Sequence, residues 1–379
     1  MGGKRELLED IGRAVDEMDT PHQSFCDLFA GTAIVSYAFS DSFDIVSNDI
    51  QRYSSIFANT YFSDFSVLGD PEDVVATVLE ECTSVVEEDR KHYHNNLFTY
   101  CEDIDFQTME AIERTQLRLC DKVFDTGFSF FKRYYSGTYW SYEQCLWIDA
   151  IRRVAERHSA GCLYYAIMSS LIFAMSYCAQ STGHFAQFRT LTKDNYKSVL
   201  IYRLKDLSKL FKKKLGEFLR VLNHPTLHSC RPSSLDYLDC ISTLEPGTII
   251  YADPPYSAVH YSRFYHAVET LVLYDCPELE YKGRYRKERY QSPFDQKSKV
   301  KKAFEDLFHA IKYQRCHLLL SYSDNALLSE TQVNEVASHV FGDQYVVKDY
   351  SRDFKHMKMG RSDDYQLNVH ELLLSFTRI

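Results

Sequence analysis

The spacing of apolar positions changes twice along the chain. Near the N-terminus, short β-branched and aromatic runs alternate with stretches of helical period. This predicts a strand over residues 24–29, a helix over 32–39, a strand over 44–48 and a helix over 50–61. The alternation returns near the C-terminus, with strands expected over 248–251, 317–321, 344–348 and 369–376 and helices over 262–274, 300–313 and 329–340. The last two strands bracket a charged connection that leaves no room for a crossover helix, so they are expected to form an antiparallel edge on a mainly parallel sheet.

Between these zones the pattern is helical. Residues 66–224 carry apolar groups at helical spacing, as in Leu146, Ile151, Val154 and Ala155 and again in Leu204, Leu207, Leu210, Phe211, Leu215, Phe218 and Leu219. Gln180-Ser181-Thr182 and Gly183 interrupt that signal, and Asn223-His224-Pro225 ends it. The expected organisation is an α/β domain formed by residues 1–65 and 225–379, with a mostly helical inserted domain over 66–224.

Composition sets outer limits. A chain of 379 residues with 45% hydrophobic content can bury a large core, which excludes a disordered protein. The longest apolar stretch, residues 162–178, is broken by Tyr164, Tyr165, Ser169 and Ser170, so no transmembrane helix and no membrane partner are expected. The opening residues lack the apolar region of a secretory signal, from which we expect the mature protein to start there and to be cytoplasmic. Eleven cysteines without any Cys-x-x-Cys suit reduced thiols, and a metal site is disfavoured.

The net charge of −10 argues against a nucleic-acid partner only until its distribution is examined. Residues 70–89 hold eight acidic and no basic side chains, whereas residues 197–220 hold eight basic and two acidic and residues 282–302 nine basic and two acidic. Phosphate binding depends on the local field of a basic surface, so the two basic segments leave a DNA footprint open. Each also reads as the solvated face of a helix, and the acidic stretch reads most simply the same way.

The strongest chemical signal is Asp253-Pro254-Pro255-Tyr256, directly after the β-branched run 248–251. Two prolines cannot continue a ladder, so the strand must stop and the chain is held rigid at the carboxyl end of the sheet, where open α/β sheets bind ligands. A carboxylate and a proline carbonyl fixed there are two acceptors facing one small volume, suited to an amino group with two protons, and Tyr256 can lie against a ring. The bland alternative is a rigid surface turn with a capping aspartate. Asp27-Leu28-Phe29-Ala30-Gly31 reads as a strand entering a tight turn before a helix. Ala33 breaks the dinucleotide Gly-x-Gly-x-x-Gly fingerprint, which argues against a pyrophosphate. Asn48-Asp49 follows Gly31 at the spacing that reaches ribose hydroxyls, so the ligand looks nucleoside-like, and S-adenosylmethionine fits.

Taken in order, these motifs resemble those of the Dam-like, α-group DNA adenine-N6 methyltransferases. Gly2-Gly3-Lys4-Arg5-Glu6-Leu7-Leu8 is similar to that family's opening motif, 27–31 to its cofactor turn, Ser47-Asn48-Asp49 to its ribose-binding strand end, Leu235-Asp236-Tyr237 with Ile241 to its adenine-holding motif, and 253–256 to its catalytic motif. Residues 66–224 show no alignable likeness.

The resemblance implies a Rossmann-like S-adenosylmethionine-dependent methyltransferase fold, α/β with a mainly parallel sheet and an antiparallel C-terminal edge, plus the helical insert as target-recognition region. It implies transfer from S-adenosylmethionine, with no metal required, to the N6 amino group of an adenine flipped from double-stranded DNA. The catalytic residues would be Asp253, Pro254, Pro255 and Tyr256; the cofactor would lie against Gly3, Lys4, Asp27, Phe29, Gly31, Asp49, Asp236, Tyr237 and Asp253. It further suggests a bacterial or phage-encoded protein, with a cognate restriction endonuclease or defence-system protein as a partner.

Candidate DNA contacts are Gln187 and Arg189 in the break between helices, Tyr261 and Arg263 in the aromatic-rich loop after the catalytic motif, and Arg284 and Arg286 in the second basic segment. Each has a structural alternative: a helix break, a capped helix with core aromatics, a solvated helix face. The rivals to DNA adenine are cytosine N4, RNA adenine or a glutamine side chain, and, from another class, a DNA-binding component of a restriction or defence assembly.

Overall fold

The computed structural model describes residues 7–18, 24–92, 98–121, 127–222, 228–256, 259–323, 326–357 and 366–379. In chain order the elements are α1 (Leu8–Asp16), β1 (Ser24–Asp27), α2 (Ile34–Ala38), β2 (Asp44–Asn48), α3 (Arg52–Tyr61), α4 (Pro71–His92), α5 (Phe106–Leu117), α6 (Phe130–Tyr135), α7 (Tyr142–Arg157), α8 (Cys162–Cys178), α9 (Tyr196–Arg203) and α10 (Leu207–Val221). They continue with β3 (Cys230–Ser233), α11 (Tyr237–Ser242), β4 (Ile249–Ala252), α12 (Ser262–Leu273), β5 (Leu279–Glu280), β6 (Tyr285–Arg286), α13 (Val300–Gln314), β7 (His317–Ser323), α14 (Glu330–Phe341), β8 (Tyr345–Asp349), β9 (Arg352–Met357) and β10 (Gln366–Arg378). The chain forms two compact units: residues 1–62, 226–263 and 290–379, and residues 63–225 with 264–289. Residues 264–289, grouped by sequence pattern with the α/β portion, therefore belong to the second unit.

The first unit is an α/β structure built on a mostly parallel mixed sheet. Its strand order is β3-β2-β1-β4-β7-β10-β8, with β9 also paired to β10. β1 runs parallel to β2 and β4, β2 to β3, and β4 to β7. β10 is antiparallel to β7, β8 and β9, which gives the antiparallel C-terminal side expected from the short last connection.

The period-two rule is visible in what each strand buries. Phe25, Ile249, Tyr251, Leu319 and Leu373 face one cluster with Ile11, Ala14 and Val15 of α1. Their neighbours Cys26, Ile250, Ala252, Leu318, Leu320, Leu372 and Leu374 join the other, with Ile241 of α11, Phe304, Leu307, Phe308 and Ile311 of α13 and Val333 and Val336 of α14. Both faces of the central strands are thus covered, which is why their sequences read as near-continuous apolar runs.

Two local differences from the sequence expectation have plain causes. The helix expected from residue 32 begins at Ile34, because Gly31 and Ala33 are both left-handed, with φ of 53° and 55°. β3 carries no strand signature, since Cys-Arg-Pro-Ser is neither β-branched nor alternating, and Pro232 is tolerated because β3 is an edge strand.

The second unit is mainly helical and includes the β5–β6 hairpin. Its core gathers buried aromatics: Phe131 stacks on Tyr135 with ring centroids 4.9 Å apart, and the Trp140 ring lies 5.6 Å from Phe185. Trp140 Nε1 donates to the Met175 carbonyl at 3.0 Å, satisfying the one polar atom of a fully buried indole. α8, the apolar stretch noted above, is a core helix, and among the described residues no helix is long and apolar enough to cross a membrane.

The acidic run of the sequence lies on α4 and is matched by basic side chains of the same unit: Glu72 with Arg220, Glu81 with Arg157, Glu88 with Arg153, and buried Asp89 with buried Lys132. Arg203 Nη2 and Nε donate to Glu113 at 2.7 and 2.8 Å, a buried bidentate pair.

Candidate active site

Strand order reverses beside β1. From β1 the sheet extends one way through β2 to β3; the chain then returns to β4 on the other side and extends through β7. The carboxyl ends of β1 and β4 therefore flank the crevice where open α/β sheets bind ligands. Asp27 ends β1, Asp49 follows β2, and Asp253 follows β4.

Asp27 is buried, and its Oδ2 accepts hydrogen bonds from the Ser36 amide at 3.0 Å and the Ser36 hydroxyl at 2.8 Å. Burial nevertheless pushes its carboxyl up to about 7, helped by the negative charges of Asp253 and Asp49 and opposed by Ser36. The crevice is thus crowded with carboxylates, an arrangement relieved by a cationic ligand or by holding a proton.

The turn after β1 is fixed from below. Leu28 N donates to the Tyr251 carbonyl at 2.9 Å and Ala30 N to the Asn48 carbonyl at 2.8 Å. Asp49 Oδ2 accepts from Gly31 N at 3.0 Å and Oδ1 from Gln51 N at 2.9 Å, so the residue expected to meet ribose also shapes the glycine turn. Asn48 Nδ2 reaches the Leu235 carbonyl at 3.1 Å while its Oδ1 accepts from Leu235 N at 3.0 Å, which locks the adjacent Asp236-Tyr237 to the end of β2. Asp236 Oδ1 caps α11 by accepting from Leu238 N, and Tyr290 donates to its Oδ2 at 3.2 Å.

Phe29, Tyr237 and Phe294 form an aromatic wall, with centroids 6.1 Å apart for Phe29–Tyr237, 5.7 Å for Phe29–Phe294 and 5.2 Å for Tyr237–Phe294. In the Asp253–Tyr256 motif, Asp253 is half-buried, Pro254 buried and the Tyr256 side chain 41% exposed. The Tyr256 carbonyl accepts from Leu327 N at 3.2 Å, and its ring meets Tyr322 edge-on at 6.5 Å. A half-buried carboxyl group and a partly exposed aromatic ring therefore stand after the end of β4.

The chain has relatives among known proteins. The model of the D12 class N6 adenine-specific DNA methyltransferase family matches residues 1–319. The chain belongs to that family. It is similar to modification methylase LlaI of Lactococcus lactis subsp. lactis, 25% identical over 351 residues that make up 89% of this chain and 48% of that protein. It is also similar to Type II methyltransferase M.FokI of Planomicrobium okeanokoites, 24% identical over 355 residues, 91% of this chain and 47% of the relative. Type II methyltransferase M.NlaIII of Neisseria lactamica is 25% identical over 345 residues, 87% of this chain and 84% of the relative. The chain thus spans about half the length of LlaI and M.FokI.

The remaining residues singled out by sequence fall in varied settings. Gly3 and Lys4 lie outside the described residues. Tyr261 donates its amide to Asp295 Oδ2 at 3.0 Å, and half-buried Arg263 sits in the first turn of α12. In the second unit, the Gln187 carbonyl accepts from Thr182 N at 2.9 Å. Arg189 donates to Ser198 Oγ at 3.1 Å and lies 5.2 Å from the centre of the Tyr202 ring. Arg284 is left-handed with φ of 56°, and its carbonyl accepts from the Tyr135 hydroxyl at 3.1 Å. Arg286 is buried and paired bidentately with Asp275, both contacts at 2.7 Å.

Sequence reasoning missed Ser36, which supports Asp27, and Phe294, which completes the aromatic wall. Ser292-Pro293 ahead of Phe294 is a legible turn start, a capping serine followed by proline, but it lay inside a stretch read for its basic charge.

Proposed function

We propose that the chain transfers a methyl group from S-adenosylmethionine to the N6 amino group of an adenine flipped out of double-stranded DNA at a specific sequence. The observation that carries this reading is the Asp253-Pro254-Pro255-Tyr256 segment at the carboxyl end of β4, beside the carboxylate-lined end of β1. In this reading the first unit is a Rossmann-like methyltransferase domain and the helical residues inserted in it form the target-recognition region.

The residues suit the cofactor. Asp27, Asp49 and Asp253 supply negative charge for a cationic ligand, Asp49 and Asp236 supply acceptors for hydroxyl groups, and Phe29, Tyr237 and Phe294 an apolar wall for a purine. When bound, the cofactor supplies an electrophilic methyl group on a positively charged sulfur.

The adenine amino nitrogen is a poor nucleophile because its lone pair is delocalised into the ring. Asp253 and the Pro254 carbonyl would accept its two hydrogens, making the nitrogen more tetrahedral and aiming its lone pair at the methyl carbon. The two prolines hold these acceptors before substrate arrives, so little reorganisation is needed as charge develops. Tyr256 would stack on the flipped base, and Asp253 would carry the proton that the amino group loses.

Gln187, Tyr261, Arg263 and Arg284 are the proposed DNA contacts; Arg189 and Arg286, committed to Ser198, Tyr202 and Asp275, are assigned to holding their segments in shape. A cognate restriction endonuclease is the proposed partner.

The test is to incubate the full chain with unmethylated genomic DNA and S-adenosylmethionine labelled in its methyl group, digest the DNA and identify the labelled nucleoside. Label in N6-methyldeoxyadenosine is expected. Label in cytosine alone, or none in DNA with cofactor still bound, would overturn the assignment.

A further inference from the structure

The chain returns to the first unit at Tyr290, and the residues that follow dock on both halves of the candidate site. Tyr290 reaches Asp236, and Phe294 closes the aromatic wall with Phe29 and Tyr237. Asp295, only 3% exposed, accepts the Tyr261 amide on Oδ2 at 3.0 Å; among the described residues its Oδ1 finds no donor. Burial pushes this carboxyl up to about 6, against the pull of the Tyr261 amide. A buried carboxylate with an unfilled oxygen is costly, and an apolar side chain of similar volume would serve packing better. What the carboxylate does in return is grip the backbone at the entry to α12, at Tyr261, which in sequence lies five residues beyond Tyr256.

We infer that Asp295 is a positioning residue for methyl transfer: by holding the Tyr261 amide it fixes the backbone that enters α12, five positions along the chain from Tyr256, and its neighbour Phe294 ties that hold to the aromatic wall. This rests on the transfer reaction proposed above. Transfer tolerates little misplacement of the acceptor pair and its stacking partner, because an error of about 1 Å can cost on the order of 100-fold in rate.

The test compares the full wild-type chain with Asp295→Ala and Asp295→Asn. Amide hydrogen exchange is measured on peptides covering residues 259–264, alongside kcat on genomic DNA, KM for S-adenosylmethionine and thermal midpoint. The asparagine variant keeps a carbonyl oxygen for the Tyr261 amide. Asp295→Ala should speed exchange at Tyr261 and lower kcat by about tenfold or more with KM changed far less, and Asp295→Asn should restore both to near wild type. Unchanged exchange in Asp295→Ala, unchanged kcat despite faster exchange, or an asparagine variant as slow as the alanine variant would each overturn the inference. Wild-type protein that puts no methyl on DNA would instead refute the proposed function, and the hold on Tyr261 would then stand or fall on the exchange comparison alone.

Discussion

Replacing Asp27 with asparagine should change how stability responds to pH, and the sign follows from the geometry. An unfolded aspartate titrates near its ordinary value of 3.8, whereas Asp27 in the folded chain is held up to about 7. Between those values the folded state keeps a proton that the unfolded state has lost. Stability therefore falls as pH rises through this window, and the loss is complete above about pH 7. The gap corresponds to about 4 kcal/mol, with the two Ser36 hydrogen bonds already offsetting part of the burial penalty. The amide introduced by Asp27→Asn would be neutral throughout and still able to accept from Ser36.

Urea denaturation of both proteins from about pH 4.5 to about pH 8 should show the variant gaining about 3 kcal/mol on the wild type across the range, since the lower end of the titration lies outside it. Titrating groups other than Asp253 and Asp49, whose charges couple to Asp27, cancel in the comparison. A difference that stays constant within about 1 kcal/mol would refute the claim that Asp27 is buried among carboxylates at the end of β1.

Other expectations follow from the same contacts. Asp253→Ala should lower transfer by at least about 100-fold while the protein still folds, and it should also let Asp27 titrate lower by removing one of the charges that raise it; calorimetry in buffers of different ionisation enthalpy would read the second effect. Wild-type chain binding S-adenosylmethionine near neutral pH should release up to about half a proton as the cation draws the protonated fraction of Asp27 into its charged form, and proton uptake would contradict the assignment. Ala33→Gly should be neutral within about 1 kcal/mol by thermal denaturation, because the lost buried methyl is offset by relief of a left-handed alanine at φ 55°. Arg203→Ala should cost about 3–5 kcal/mol, since it leaves Glu113 buried without its bidentate partner.

The parts of the site that were legible in sequence are those made by local chemistry. A β-branched run stopped by two prolines can only be a strand end, and Ile249–Ala252 is indeed a fully buried strand with Asp253 directly after it. The turn after β1 was equally local, and the left-handed Ala33 shows that the substitution in its fingerprint is absorbed by backbone strain. β3 was invisible because an edge strand needs neither alternation nor β-branching when its partner supplies the register, as Asn48 and Ser233 do here.

Charge was legible in amount and illegible in address. A stretch with eight acidic side chains over residues 70–89 reads as a surface, yet Glu72 pairs with Arg220 148 residues away and Asp89 with Lys132 43 residues away, so segregation along the chain becomes pairing in space. The same applies to the second basic segment, where Arg286 is taken up by Asp275 and Asp295 grips Tyr261 34 residues earlier. A periodicity argument has no access to such contacts, because their energy depends on which distant segment folds alongside and on the desolvation they share. An arginine read from sequence as a phosphate clamp therefore has to be weighed against the carboxylates that tertiary folding brings to it. For this chain the Arg189 side chain is engaged by Ser198 and Tyr202 and the Arg286 side chain by Asp275, so the cost of breaking those contacts counts against either serving as a phosphate clamp.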